Sequence, residues 1–244
     1  MFRDREDAAR RLAARLKGRD LHAPVVLAVP RGGVVTGAVL ARELGAELDV
    51  VLSRKLRAPG RPEVPVGAVA ENGRVYLNHL GQRYREVMHG YLARERRFQL
   101  AEIARRRQLL RAVRPPAPLE GRSVIVADDG IATGATLIAA LQCVKARRPR
   151  EVIVAVPVAP PDSLAEARRW CDDVVCLLCP EDFQAVGQFY EDFRPVEVEQ
   201  VIELLRQAAA DPPPARLARG RVSRRKAGTR GGNQRPLTRR EGVQ

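Results

Sequence analysis

Short apolar runs rich in β-branched residues recur along this chain, and they constrain its fold more than any other feature. Each run is continuous rather than alternating, which is the pattern that a parallel sheet covered on both faces requires. Helical stretches separate most of the runs, so the order of elements predicts an α/β fold with a doubly wound parallel sheet. The five predicted core strands are residues 24–29, 48–53, 123–128, 152–157 and 173–178.

A long insertion, residues 56–119, separates the second predicted core strand from the third. It begins with several Pro and Gly residues, and Asn72-Gly73 between two apolar segments favours a tight hairpin turn. A long helix is predicted over about residues 80–113. Residues 81–114 hold ten Arg against three Glu, a basic surface that we interpret as a solvated helix face. At the start of the chain, residues 3–16 have the apolar stripe of an amphipathic cover helix.

The positive charge of the chain is concentrated at its C-terminal end. Residues 211–244 hold nine Arg and one Lys against Asp211 and Glu241, which accounts for +8 of the net charge of +14. This segment has almost no large apolar residues and is predicted to be a disordered basic tail after a domain of residues 1–210. Such a tail can bind nucleic acid through phosphates, a function that we consider possible but do not favour for the protein.

The first residues are charged and lack the apolar core of a signal peptide, and no later segment approaches the roughly 18 apolar residues needed to cross a bilayer. We therefore predict a cytoplasmic protein without a membrane partner. In that compartment its four cysteines are expected to be reduced thiols.

One stretch carries most of the functional information. A strand is followed by Asp128-Asp129, then by a glycine turn, and then by a helix. Glycines at such a turn let backbone N–H groups converge on an anion beside a helix N-terminus. The two carboxylates can accept hydrogen bonds from sugar hydroxyls next to a phosphate. The stretch lacks the GK[ST] ending of a P-loop and has no G-x-G-x-x-G pattern. It predicts a site for a phosphorylated ribose; the competing interpretation is a strand that ends in a solvated acidic turn.

Residues 124–136 closely resemble the thirteen-residue signature of type I phosphoribosyltransferases: a hydrophobic strand, two acids and a T-G-x-T loop. The resemblance covers about residues 1–210. It implies that Asp128 and Asp129 are catalytic residues that bind the ribose 2′ and 3′ hydroxyls of phosphoribosyl pyrophosphate. The residues implied to hold the 5′-phosphate are Gly130, Ile131, Ala132, Thr133, Gly134, Ala135 and Thr136.

A second glycine turn, Arg31-Gly32-Gly33, follows the first predicted strand and corresponds to the pyrophosphate loop of the family. Arg54 and Lys55 lie at the end of the second predicted strand, where related enzymes present a Lys to the pyrophosphate. Ligands bind at the carboxyl edge of such sheets, which favours a binding role for Arg54 and a catalytic role for Lys55 over ordinary strand-end charge.

The resemblance also places a mobile lid in the insertion, where Arg57, Arg61 and Glu63 are candidates for closing over the pyrophosphate.

A hood near the end of the domain is implied to bind the acceptor base. Phe183, Val186 and Phe189 are candidates to stack on or flank a flat ring; the alternative is a small aromatic cluster under a loop. Enzymes that act on 6-oxopurines have an Asp before the T-G of the loop. Because Ala132 stands there, a hypoxanthine or guanine acceptor is disfavoured.

These features predict a phosphoribosyltransferase that transfers ribose 5-phosphate to a nitrogenous acceptor, such as a nucleobase, and releases pyrophosphate. Mg²⁺ is the implied cofactor: substrate oxygens and water hold it, and Asp128 and Asp129 are candidate ligands. A homodimer is common in the family. The alternative is a non-catalytic protein that binds phosphoribosyl pyrophosphate as a regulator or that binds nucleic acid.

Overall fold

A computed structural model describes residues 1–83, 85 and 89–211 of the chain. The strands are β1 (Val25–Ala28), β2 (Glu47–Val50), β3 (Ser53–Ala58), β4 (Arg61–Ala70), β5 (Val75–Leu77), β6 (Ser123–Ala127), β7 (Glu151–Val158) and β8 (Asp173–Leu178). The helices are α1 (Arg5–Leu16), α2 (Gly32–Leu44), α3 (His79–Arg83), α4 (His89–Arg111), α5 (Ala135–Lys145), α6 (Pro161–Arg168) and α7 (Val198–Ala210), with a 3₁₀ turn at Val186–Phe189.

Five strands form a central parallel sheet in the order β2-β1-β6-β7-β8, which confirms the predicted α/β class. From β1 the chain moves outward to β2, and from β6 it moves the other way to β7 and β8. The loops that follow β1 and β6 therefore diverge, and they leave a crevice at the carboxyl edge of the sheet. This is the position at which ligands bind in open α/β sheets.

Helices cover both faces of the central sheet and bury its aliphatic strands. One core lies under α1, α2, α4 and α7, and the other lies under α5 and α6. Every residue of β1 and β6 is buried, as the continuous apolar runs predicted. The two cores hold β1 and β6 side by side and so fix the positions of the loops at their ends.

The insertion forms a separate antiparallel sheet in the order β3-β4-β5. Its predicted hairpin is present: Gly73 has a φ of 81° and lies in the turn between β4 and β5. One predicted boundary was wrong. The second core strand ends at Val50, and Ser53 already belongs to the small sheet. Within the predicted helix over 80–113 the described residues form α3 and α4, and Arg85 lies in a turn; residues 84 and 86–88 lie outside the described residues.

The C-terminal end of α4 is tied to β2 by a buried ion pair. Arg111 Nη1 lies 2.5 Å from Oδ1 of the fully buried Asp49, whose Oδ2 accepts a hydrogen bond from the Ala117 N–H. The basic helix is therefore anchored beside the central sheet.

No helix among the described residues is long and apolar enough to span a membrane. The predicted disordered tail, residues 212–244, lies outside the described residues.

Candidate functional site

Two acidic residues stand at the carboxyl end of β6. The half-buried Asp128 accepts a hydrogen bond at Oδ1 from the backbone N–H of Asp129, over 2.9 Å. Burial raises the pKa of the Asp128 carboxyl, and the negative charge of Asp129 raises that pKa further. The ionised form of Asp128 is therefore less favourable than it is in water.

An arginine from α1 is paired with the second acid. Arg5 Nε lies 2.7 Å from Asp129 Oδ2, and the two side chains are only 11% and 15% exposed. The guanidinium also lies 3.9 Å from the centre of the Phe193 ring and donates to the carbonyl of Arg194. The sequence indicated only a covering role for α1. Arg5 was not predicted, because the partner carboxylate is 124 residues away and no local motif marks the arginine.

Replacing Arg5 by Gln should lower the free energy of unfolding by about 2 kcal/mol, because it leaves a nearly buried carboxylate without its cation. Urea unfolding is the measurement. Arg10→Gln on the same helix is the control, since Arg10 forms an exposed pair with Glu6 worth at most about 1 kcal/mol. Equal losses in the two variants would contradict the assignment.

The glycine turn after the acids is anchored to neighbouring elements and leads into α5. The Ile131 N–H donates to the Val158 carbonyl over 2.9 Å, and the Ser163 hydroxyl donates to the Ala132 carbonyl over 2.5 Å. Gly134 adopts a φ of 73° just before α5, which starts without a side-chain cap. Because the first N–H groups of a helix have no intrahelical partner, they are available to an anion here. Binding of the 5′-phosphate stays a prediction.

The turn Arg31-Gly32-Gly33 opens α2, which also starts without a side-chain cap, and it packs directly on the acidic pair. A Cβ atom on Gly32 would lie 1.8 Å from Asp129 Oδ2, and one on Gly33 would lie 2.9 Å from Asp128 Oδ1. Only glycine fits where the backbone of the turn packs so closely on the two carboxyls. The Arg31 side chain is partly exposed and forms an ion pair with Glu197.

Arg54 and Lys55 are not at the end of β2, as predicted, but within β3. Adjacent residues of a strand face opposite sides, and this separates the two cations. Arg54 is half-buried against α4, where its Nε donates to Gln99 Oε1 over 2.5 Å. Lys55 is exposed and lies opposite Ala68 of β4. Of the predicted lid residues, Arg57 pairs with Glu95 of α4, whereas Arg61 and Glu63 are exposed.

The predicted hood residues form a half-buried cluster beside the acidic motif. The rings of Phe183 and Phe189 stack with their centres 5.6 Å apart. A Cβ atom on Gly130 would lie 2.5 Å from Val186 Cγ1, so the cluster contacts the glycine turn. The Tyr190 hydroxyl donates to the Asp129 carbonyl over 2.6 Å, a contact that sequence analysis missed. Burial raises the pKa of Tyr190, which keeps this donor protonated.

The raised pKa of Asp128 gives a prediction about stability and pH. The Asp128 carboxyl has a higher pKa in the folded state than in the unfolded state. The free energy of unfolding of the protein therefore falls as pH rises from the unfolded pKa of this carboxyl through its folded pKa. Asp128→Asn removes this loss, so the variant should gain stability relative to the native chain as pH rises above about 4, the unfolded pKa of an Asp side chain. Urea unfolding over a pH series that starts below this value measures the gain, with the exposed Asp20→Asn as control. A pH-independent difference would contradict the prediction.

The family model for the phosphoribosyl transferase domain matches residues 2–194. Two curated Mycobacterium tuberculosis proteins, MT0597 and Rv0571c, are each 41% identical to the chain over 211 residues; their names assign them provisionally to the phosphoribosyl transferases. These matches cover 86% of the chain but 48% of each relative, so the chain spans about half their length. TT1426 from Thermus thermophilus, whose crystal structure is known, has 47% sequence identity to this chain. The two structures match with a TM-score of 0.73, and the match covers 84% of this chain and 98% of the TT1426 chain.

Proposed function

The chain belongs to the phosphoribosyl transferase family, and we propose that it transfers ribose 5-phosphate from phosphoribosyl pyrophosphate to a nitrogenous acceptor, with release of pyrophosphate. The observation that carries this proposal is the packing of the turn Arg31-Gly32-Gly33 on Asp128 and Asp129. Two uncapped helix starts adjoin one acidic pair, an arrangement that suits a sugar with phosphates at both ends.

In this proposal the acids bind the ribose and the turn before α5 binds its 5′-phosphate. Hydrogen bonds within the protein use Asp129 Oδ2 and Asp128 Oδ1. The remaining oxygen of each carboxyl is available to accept a hydrogen bond from a ribose hydroxyl. Donors for the phosphate are the backbone N–H groups of the turn and the hydroxyls of Thr133, which is exposed, and Thr136, which is half-buried.

The reaction itself breaks the bond between the anomeric carbon and a pyrophosphate oxygen, and it forms a bond from that carbon to a nitrogen of the acceptor. The acceptor nitrogen supplies the electron pair of the new bond and loses its proton to water, and the pyrophosphate leaves with the electrons of the broken bond. Positive charge develops on the sugar ring in the transition state, so catalysis rests on positioning and on cations around the leaving group. Arg31 of the turn is the proposed cation beside the leaving group. Lys55 is proposed for the same role on the family resemblance alone, since it is exposed within β3. The insertion over residues 56–119 is the proposed lid.

We propose Mg²⁺ as the cofactor that accompanies the substrate. Among the described residues, no group of three or more His, Cys, Asp or Glu side chains is arranged to hold a metal ion. Mg²⁺ is usually bound by one or two carboxylates together with phosphate oxygens and water, and the acidic pair can supply these carboxylates. When bound, Mg²⁺ neutralises charge on the pyrophosphate. Asp128 and Asp129 are the residues that would contribute ligands.

The acceptor is proposed to bind beside the cluster of Phe183, Val186 and Phe189, which adjoins the glycine turn. Ala132 is exposed in that turn and has no side-chain group for proton transfer to a 6-oxopurine. A nitrogenous ring other than hypoxanthine or guanine is therefore the acceptor class that we favour.

The test is a screen of nucleobases and related nitrogen compounds for Mg²⁺-dependent release of pyrophosphate from phosphoribosyl pyrophosphate. The proposal expects release that requires both an acceptor and the intact acidic pair. Calorimetric binding of phosphoribosyl pyrophosphate without turnover by any acceptor would instead favour the regulatory alternative. Absence of binding would reject both functions.

A further inference from the structure

The inward face of α4 carries an arginine at a position where an apolar residue is expected. The buried residues of this helix are Glu95, Gln99, Ile103 and Leu110. Arg106 follows Ile103 by three positions and precedes Leu110 by four, so it lies on the same stripe. It is half-buried, whereas its neighbours Arg105 and Arg107 are exposed. Sequence analysis interpreted the arginines of this helix together as a solvated face, and Arg106 departs from that interpretation.

Arg106 borders a pocket of about 70 Å³ beside the turn Arg31-Gly32-Gly33. Arg31, which follows β1, and Leu52, which follows β2, both line this pocket, so it lies at the carboxyl edge of the central sheet. Leu110 and Val201 form part of an apolar wall. Apolar surroundings strengthen the interaction of a guanidinium with an anion, because the wall excludes water.

Three arginines line this pocket, and two of them have a carboxylate partner. Arg31 has an exposed pair with Glu197, and Arg105 has one with Glu102. The third, Arg106, forms no ion pair with any residue that the structure describes.

The charge of Arg106 is less favourable in this position than it is in water. Burial lowers the pKa of Arg106, and the positive charges of Arg54 and Arg31 lower it further, against the opposing charge of Glu102. Like charges gathered in this way repel one another, and a bound anion relieves the repulsion.

We propose that Arg106, together with Arg31, binds the pyrophosphate group of phosphoribosyl pyrophosphate. This inference rests on the proposed function and adds a residue from the insertion to the site. The planar guanidinium of arginine binds phosphate oxygens in a bidentate manner. Because Arg31 belongs both to the turn and to the pocket wall, a ligand on the turn N–H groups adjoins the pocket. The same charge stabilises the departing pyrophosphate, whereas the ribose 5-phosphate half of the substrate lies against other residues.

Calorimetry on the full chain tests this assignment with three ligands: inorganic pyrophosphate, phosphoribosyl pyrophosphate and ribose 5-phosphate. Arg106→Gln should weaken binding of the first two by about ten- to a hundredfold, the usual range for losing a hydrogen bond to a charged group. Ribose 5-phosphate should bind as in the native chain. Arg107→Gln, one position along the same helix, is the matched control and should change none of the three affinities. Arg106→Lys retains the charge and should lose less affinity than Arg106→Gln.

The outcomes separate this inference from the proposed function. If the native chain binds all three ligands and Arg106→Gln binds pyrophosphate equally well, the assignment of Arg106 is wrong and the proposed function stands. A uniform loss for all three ligands, or an equal loss in Arg107→Gln, also overturns the assignment, because it indicates a general effect. If the native chain binds none of the ligands, the proposed function fails and the inference fails with it.

Discussion

Replacing Asp128 and Asp129 together by Asn is expected to weaken binding of phosphoribosyl pyrophosphate by about a thousandfold. Each substitution keeps the shape of the side chain and removes the charge of an acceptor. A hydrogen bond to a charged group contributes roughly 1.5–3 kcal/mol, and about 1.4 kcal/mol corresponds to tenfold in affinity. Two such bonds to the ribose hydroxyls therefore account for the expected loss. Calorimetry with phosphoribosyl pyrophosphate and Mg²⁺ is the measurement.

The matched control for the acidic pair is Asp20→Asn. Asp20 is exposed in the segment that leads from α1 to β1, at the opposite edge of the sheet from the site. Its substitution should leave the affinity unchanged. Circular dichroism should show both variants folded, because the acids line a crevice and do not belong to either aliphatic core. Native affinity in the doubly substituted chain would reject the ribose-binding assignment.

Gly32→Ala is expected to reduce the rate of pyrophosphate release by about a hundredfold. The added methyl group would lie 1.8 Å from Asp129 Oδ2 and 3.0 Å from Arg5 Nε. The carboxylate can avoid this overlap only by moving away from the arginine that holds it. A misplacement of about 1 Å at a reacting site is sufficient to cost roughly a hundredfold in rate. Steady-state measurement of pyrophosphate release, with the best acceptor found by screening, tests this expectation.

Gly90→Ala is the control for the added methyl group. Gly90 lies in α4, and no atom of the described part of the chain would come within 4 Å of its Cβ. This variant should keep full activity and gain up to about 1 kcal/mol of stability, because alanine favours a helix over glycine. If Gly32→Ala were as active as Gly90→Ala, the close packing of the two turns would have no role in the reaction.

The central sheet was predictable because its information is local. Continuous apolar runs identify strands covered on both faces, and the helices between them require parallel crossovers. Four of the five predicted strands agree with the structure to within one residue at each end. The second was extended too far, because Val51 and Leu52 are also apolar and buried although they lie between two sheets. An apolar pattern reports burial, and it does not report which sheet a residue joins.

The acidic pair and the glycine turns were predictable for a similar reason. Each lies in a continuous segment at the end of a strand, so the neighbouring residues in the sequence fix its position relative to that strand. Arg54 and Lys55 do not belong to such a segment. Their expected position depended on where β2 ends, and the early turn into β3 directs the two side chains to opposite faces.

The sequence by itself determined the core strands, the two glycine turns and the acidic motif, because apolar periodicity and glycine turns act over a few residues. Only the tertiary structure decided which distant side chains reach that motif. Arg5 pairs with Asp129 because α1 packs beside the central sheet, and Tyr190 reaches the same residue from the hood. Arg106 enters the pocket by the turn because α4 is anchored on β2 and β3. Such contacts depend on how whole elements pack, which no local pattern of residues encodes.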